Sequence, residues 1–342
     1  MKQITITKHG NAQNAFQMEE QEELVPKEGE VLIQVEGFGL NYADVMARNG
    51  LYKDAPKIPF VPGYEIVGKV IQRGKDVPEK FAGKRVVAFT RFGGYAEQAV
   101  TDFRGTAIIG KAISGGEACA LATQYCTAYY MTDYRFKMHK GETALIHACA
   151  GGVGTALTQL CQRSGVTVIG LCSSDEKVAY LEKTGVDFPI NYKKANYREL
   201  IEGRLGKRKV DYVFNSVSGE SFKNDLKLLS YGGRLFCFGG ASRSGKGNHI
   251  FNDLVFLLKT GFVSPLFMMM KSQGVVAVNM LRVAEYKIEI IGKCLEDLQQ
   301  LWTNGEIKPR VGAIFKAEDI ATAHELLESG KSKGKIYVHW EP

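Results

Sequence analysis

The chain has 342 residues, 45% of them hydrophobic and 24% charged, with a formal net charge of +7. That length and balance suit two domains with separate cores and argue against a disordered chain. The basic residues are scattered except at Lys207, Arg208 and Lys209 and at Lys331, Lys333 and Lys335, which read as solvated loops rather than a nucleic-acid groove. The most apolar tract, 250–281, is broken by Asp253, Lys259, Pro265 and Lys271, short of the roughly 20 apolar residues a membrane span needs. The seven cysteines never approach Cys-x-x-Cys spacing and the opening run Met1-Lys-Gln-Ile-Thr-Ile has no signal-peptide pattern. Buried free thiols in the cytoplasm are expected.

In chain order, 3–7, 30–39, 64–72, 84–90 and 94–100 are short apolar or alternating runs broken by Gly and Pro, and they predict a compact β domain. Within it, 39–52 follows a strand and reads as one short helix. The stretch 115–137 reads as helical, with Ala118, Leu121, Ala122, Tyr125, Ala128, Tyr129 and Thr132 on one face, and the domain boundary falls there. Alternating units follow. Strands are expected at 143–147, 167–171, near Phe188, at 211–215 and at 234–238, with helices at 153–164, 175–184, 197–205 and 222–229. This alternation predicts a doubly wound parallel sheet with helical crossovers, and the run from Val275 to Met280 is a candidate sixth, edge strand. A helix at 292–304 and the tail then return to the first domain, giving domains of 1–123 with 284–342, and of 124–283.

Between the first parallel strand and its helix lies Ala148-Cys-Ala-Gly-Gly-Val-Gly154. Gly151 and Gly152 remove the Cβ atoms that would block a pyrophosphate, Gly154 lets the helix approach the strand, and the helix N-terminus presents N–H groups and partial positive charge. A dinucleotide site is expected here. The second strand ends Leu171-Cys-Ser-Ser174, without the acid that binds a ribose 2′-hydroxyl. Ser173 with Glu176 fits a capping box, which would put Asp175 in the first helical turn. Ser173 and Lys177 suit a 2′-phosphate and favour NADP(H); on the plainer reading Ser173 only caps the helix and Lys177 is solvated. Tyr192 either covers the adenine or packs. Ser216, Phe238 and Gly239 end two further strands at the ligand-binding edge and are expected to line the nicotinamide end, with Arg243 and Lys246 in a loop beyond. His147 is expected to be buried and tied to backbone rather than an acid–base group.

Zinc alcohol dehydrogenases of this layout need a Cys after the early strand and a Gly-His-Glu later, because Zn²⁺ takes thiolate and imidazole. Asn41 and Tyr64 hold those places, so no metal is expected. Hydride transfer then needs a hydrogen-bond donor to the acceptor oxygen, and Asn41, Tyr42, Tyr52 and Tyr64 are the candidates in the first domain.

The pieces Gly39-Leu-Asn-Tyr-Ala-Asp-Val-Met-Ala-Arg-Asn-Gly-Leu-Tyr52, Pro62-Gly-Tyr-Glu65, His147-Ala-Cys-Ala-Gly-Gly-Val-Gly154, Ile190-Asn-Tyr192 and Gly305-Glu-Ile-Lys-Pro309 together resemble zinc-independent medium-chain dehydrogenases/reductases of the quinone oxidoreductase group. Of these, 40–52 and the 305–309 tail are most similar to the vesicle amine transport protein branch. The resemblance runs end to end. It implies a GroES-like β-rich catalytic domain plus a Rossmann domain, NADPH-dependent reduction of a quinone or related electron-poor carbonyl, and a homodimer joined by the 275–280 strand. It also implies cofactor contacts at Tyr130, Ala150, Gly151, Gly152, Val153, Gly154, Ser173, Lys177, Tyr192, Ser216, Phe238 and Gly239, and substrate-side roles for Asn41, Tyr52 and Tyr64. The segment 251–270 departs from the quinone reductase pattern. Two other readings stand beside it: an enone or enoyl-thioester reductase, and a nucleotide-binding protein whose apolar segment 262–270 contacts membrane or a partner. Burial of that segment at an interface is the simpler expectation.

Overall fold

The computed structural model describes residues 1–240, 259–261 and 263–341. The expectations for Arg243, Lys246, Phe262 and most of 251–262 lie outside the described residues. The chain divides into two compact units, one of Met1–Tyr129 with Met280–Pro342 and one of Tyr130–Asn279.

In the second unit, six strands form one sheet in the spatial order Phe188–Asn191, Thr167–Cys172, Thr143–Ile146, Val210–Asn215, Leu229–Cys237, Gly274–Ala277, and every pairing is parallel. The order reverses beside Thr143–Ile146, so the crevice beyond the carboxyl ends of that strand and Val210–Asn215 is where such sheets bind ligands. Leu145, Ile169, Leu171, Val213 and Leu235 pack with helix residues Ile201, Phe222 and Leu228 in its core. The strand Leu229–Cys237 starts five residues earlier than the sequence suggests, because the turn-like Gly232 (φ +84°) lies inside it at a register shift. The edge strand ends at Ala277: Val278 N–H makes one further bond to Cys237, and Met280 already opens the helix Met280–Tyr286.

The first unit is built on a seven-stranded sheet in which Glu30–Leu40 pairs with Glu65–Arg73, Lys335–His339 and Gln98–Asp102. Its outer members are Arg85–Phe89, Thr106–Ile108 and Val311–Lys316, and Lys2–Ile6 with Phe16–Glu20 makes a separate two-stranded ribbon. Val31, Ile33, Phe38, Ile66, Val86, Ile336 and Val338 form its core. The helix expected at 292–304 begins earlier, at Ile288. Gly292 is a contact point rather than a terminus, since a Cβ there would lie 2.1 Å from the Arg104 carbonyl oxygen.

The expected helix at 115–137 is mixed. An α-helix Gly115–Ala120, capped reciprocally by Ser114 and Glu117, passes into the π-helical segment Leu121–Tyr125, then α Cys126–Tyr129 and π Tyr130–Tyr134. Such π segments are rare and recur at functional sites. All seven cysteines are free; six are buried, and Cys237 is half-buried at its strand end. Among the described residues no helix is long and apolar enough to cross a membrane.

Candidate functional site

The glycine turn is tied into the sheet on both sides, His147 N–H to the Phe214 carbonyl and Cys149 N–H to that of Leu171, each at 3.0 Å. Ala148 adopts φ +48°, and Gly151 N–H closes the turn on its carbonyl at 2.8 Å. The helix Gly152–Arg163 follows with extended Gly151 as its cap and no side-chain cap bond. A Cβ at Gly154 would lie 2.5 Å from the carbonyl oxygens of Ala148 and Cys149, so only glycine allows this approach. In the first turns the buried Thr155 Oγ1 has no hydrogen-bond partner among the described residues. An uncapped helix terminus beside an unpaired hydroxyl fits a pyrophosphate. Ala150 is buried within this turn, and Val153 is half-buried in the first helical turn.

At the end of the second strand the cap is Ser174, not Ser173: its Oγ accepts from Lys177 N–H at 3.3 Å. The strand runs one residue further than expected, to Cys172 paired with Asn191, which moves the helix start along. Ser173 is therefore left between strand and cap, and Asp175 is the first helical residue. Asp175 is bonded by Asn191 Nδ2 at 2.9 Å and by Lys194 Nζ, which together hold it below the usual carboxylate range, Lys194 contributing more. Lys177 is half-buried, and Tyr192 is 46% exposed.

Ser216, Phe238 and Gly239 lie together past the fourth and fifth strands. Phe238 N–H bonds the Asn215 carbonyl at 3.2 Å, Ser218 Oγ donates to the Gly239 carbonyl at 2.8 Å, and a Cβ on Gly239 would meet the Ser216 carbonyl oxygen at 2.6 Å. These turns rest on a buried network that the sequence did not reveal. The Asp225 carboxylate accepts from Tyr197 at 2.9 Å and Asn215 at 2.5 Å and meets His147 Nε2 at 3.0 Å, while Asn215 Oδ1 accepts from Val217 and Ser218 N–H at 2.8 and 2.7 Å. His147 is buried as expected, but its ring is tied to a carboxylate rather than to backbone. Tyr130 opens the second π segment, stacked on Tyr134 at 6.0 Å with Arg135 over its ring at 5.5 Å.

In the first unit, Asn41 ends the strand Glu30–Leu40 and caps the helix Tyr42–Arg48. Its Nδ2 donates to Glu65 at 2.8 Å and its Oδ1 accepts from Lys335 Nζ at 3.2 Å. Lys335 and Glu65 are both fully buried and paired, and Lys335 also donates to the Leu40 carbonyl at 3.1 Å, while Thr123 donates to Glu65 from the first π segment. Burial raises the Glu65 carboxyl and Lys335 pulls it back. Asn41 is thus held rigidly by two charges 270 positions apart in the chain, which no local pattern places together.

Asn41 N–H also donates to Asp44 at 2.8 Å. Asp44 is fully buried and pushed up to about 8, mostly by burial. Nearby, Tyr95 hydroxyl meets His324 Nε2 at 3.1 Å, and burial with Arg48 holds His324 down to about 3. Tyr64 is 3% exposed, its hydroxyl unpaired among the described residues. Its ring lies 6.2 Å from that of the half-buried Tyr52 and 5.3 Å from that of Phe92. Burial pushes Tyr52 up to about 12 and Tyr64 higher still, so both are neutral phenols able to donate at neutral pH.

Two family models match: "Alcohol dehydrogenase GroES-like domain" over residues 27–132 and "Zinc-binding dehydrogenase" over 152–282. The chain is 30% identical over 318 residues to the synaptic vesicle membrane protein VAT-1 homologs of Homo sapiens and Danio rerio, covering 92% of this chain and 79% and 65% of those proteins. The chain thus spans just under two thirds of the Danio rerio relative. Among solved structures it is similar to Escherichia coli quinone oxidoreductase complexed with NADPH, with TM-score 0.85 and 27% identity over 99% of this chain and 100% of that one. CurK enoyl reductase is alike at TM-score 0.85 and 26% identity, over 99% of both chains. The GroES-like sheet, the six-stranded parallel sheet and these likenesses agree: the chain belongs to the zinc-independent medium-chain dehydrogenase/reductase family of oxidoreductases.

Proposed function

We propose that the chain is an NADPH-dependent reductase that delivers hydride to a quinone or a related electron-poor carbonyl without a metal. The observation that carries this is the Tyr64 hydroxyl, buried and unpaired beside Tyr52: a neutral donor without an acceptor suits an oxygen on which charge builds as hydride arrives. When bound, the dihydronicotinamide supplies the hydride, and quinone, NADPH and one proton give hydroquinone and NADP⁺.

On this reading, Gly151, Gly152, Val153 and Gly154 with Ala150 receive the pyrophosphate, and Ser173, Lys177 and Tyr192 take the adenosine end with its 2′-phosphate. Ser216, Phe238 and Gly239 flank the nicotinamide, and Tyr130 adds an aromatic contact. Tyr52 and Tyr64 donate to the acceptor oxygen. Asn41, with one amide hydrogen on Glu65 and its oxygen on Lys335, keeps its second amide hydrogen for the substrate.

The likeness to CurK enoyl reductase favours a second reading, in which the acceptor is an enone or enoyl thioester and the same phenols bind its carbonyl. We further infer a cytoplasmic homodimer joined along Gly274–Ala277. The helix Pro265–Lys271 has no buried residue in the single chain, Phe267 being 61% exposed, and pairing at the neighbouring edge strand would cover it.

The test is NADPH and NADH oxidation by the purified protein against ortho-quinones, para-quinones, enones and enoyl thioesters, with Tyr64→Phe and Lys177→Ala beside wild type. NADPH-dependent quinone turnover that falls about 10²-fold in Tyr64→Phe, with Lys177→Ala acting through the NADPH KM, supports the proposal. Turnover confined to enones or enoyl thioesters selects the second reading. Nucleotide binding without any turnover overturns both, and directs attention to a binding role for the exposed 265–271 helix.

A further inference from the structure

The carboxylate nearest the ribose end of the second parallel strand is Asp175, at the first position of a nine-residue helix capped by Ser174. A carboxylate there suits a ribose 2′-hydroxyl and repels a 2′-phosphate. In this chain both of its oxygens are engaged from the neighbouring segment: Oδ1 by Asn191 Nδ2 at 2.9 Å and Oδ2 by Lys194 Nζ. The neighbouring segment is built to present them. Asn191 is the last strand residue, in register with Cys172, and its side-chain oxygen accepts from Lys193 N–H at 3.1 Å while its carbonyl accepts from Lys194 N–H at 3.1 Å. This turn brings Lys194 back onto Asp175.

We propose that Lys194, held on Asp175 with Asn191, is a specificity-determining residue that masks a carboxylate placed to select against a 2′-phosphate. Lys194 acts through Asp175, and its role differs from that of Lys177, which would meet the phosphate directly. The inference rests on the NADP(H) reading and deepens it. Charge neutralisation at an exposed position adds little to folding stability, but a phosphate carrying close to two negative charges feels an unmasked carboxylate strongly.

The experiment is calorimetric titration of the full chain with 2′,5′-ADP and with 5′-AMP, fragments that report the 2′-phosphate without any catalysis. Wild type is compared with Lys194→Met, Asp175→Asn and the double variant. Asp175 and Lys194 side chains are 63% and 67% exposed, so the variants keep the fold, which thermal melting verifies. Wild type should prefer 2′,5′-ADP. Lys194→Met should weaken that ligand about tenfold with 5′-AMP unchanged or tighter, and adding Asp175→Asn should restore most of the loss. No loss in Lys194→Met, an equal loss for both ligands, or no recovery in the double variant overturns the proposal. A wild type that does not distinguish the two fragments removes the NADP(H) reading itself, and does so before any variant is made.

Discussion

In the unit 130–279 the groups proposed to meet a ligand are backbone N–H groups at the start of Gly152–Arg163, in a turn to which Gly151 and Gly154 bring no Cβ. In the unit of 1–129 and 280–342 they are side chains, with Asn41 fixed by a buried Glu65–Lys335 pair and Tyr64 held unpaired beside Tyr52. The first arrangement depends on one continuous stretch of chain. The second depends on residues 41, 64, 65, 123 and 335 arriving together. A site made of backbone tolerates changes in most side chains but not an added Cβ, whereas a site made of buried charges is sensitive to each partner.

The largest expected effect sharpens that contrast. Glu65→Gln leaves Lys335 buried without its counter-charge and should cost about 3–5 kcal/mol in chemical denaturation, with most of it regained in Glu65→Gln/Lys335→Met. If the single variant is as stable as wild type, the pair does not hold the first unit's site. Next, Gly154→Val should lose NADPH binding in a fluorescence titration and destabilise by about 1–3 kcal/mol, because the Cβ meets two carbonyl oxygens at 2.5 Å. Gly151→Ala should be milder, its nearest obstacle being the Ala148 carbonyl oxygen at 3.1 Å. Equal effects at the two glycines would break the account of the cradle.

An effect graded by pH rather than fixed in size belongs to Asp44. Its folded carboxyl is raised from 3.8 to about 8, so the folded state keeps a proton that the unfolded chain releases. The associated stability is complete below about 4 and lost as pH rises to about 8, at about 1.4 kcal/mol per pH unit within that window. His324 works the other way, lowered from 6.5 to about 3, so its contribution is lost as pH falls through that interval. The two slopes oppose each other between about 4 and 6.5. Melting curves of wild type and Asp44→Asn should therefore diverge steadily from about pH 4 to about 8, the variant gaining relative stability, while wild type's own loss is steepest above 6.5; parallel curves would show that the Asp44 carboxyl is not raised. The smallest effect is on Tyr64→Phe, which removes an unpaired buried hydroxyl and should leave stability unchanged or raise it by about 1 kcal/mol. A clear loss of stability would mean that the hydroxyl already has a partner in the protein.

The same contrast explains what could be read from the sequence. The parallel sheet and its glycine turn were legible because strand, turn and helix are consecutive and their apolar spacing is periodic. The cap falls at Ser174, one residue past the position that the Ser173 and Glu176 spacing suggests, because strand length, not helix chemistry, decides where the helix starts. In the first unit Asn41, Tyr52 and Tyr64 could be chosen by residue type, but neither Lys335 nor the Asp44, Tyr95 and His324 cluster has any local signal. Their partners are set by strand pairings between the early chain and the tail, such as Ile336 with Leu40. Asp225 was hidden in the same way, ten residues from Asn215 and on the face of a helix whose pattern reads only as amphipathic.

The Lys335–Glu65 pair also orders events during synthesis. Its members are separated by 270 positions, and the strand carrying Lys335 is made after both strands it pairs with. The segment 130–279 is complete as a unit before then, while Glu65 emerges far ahead of the cation that will neutralise it. A nascent chain can therefore settle residues 130–279 first, while the unit that holds Glu65 stays incomplete, with a carboxylate in water, until Lys335 has been made.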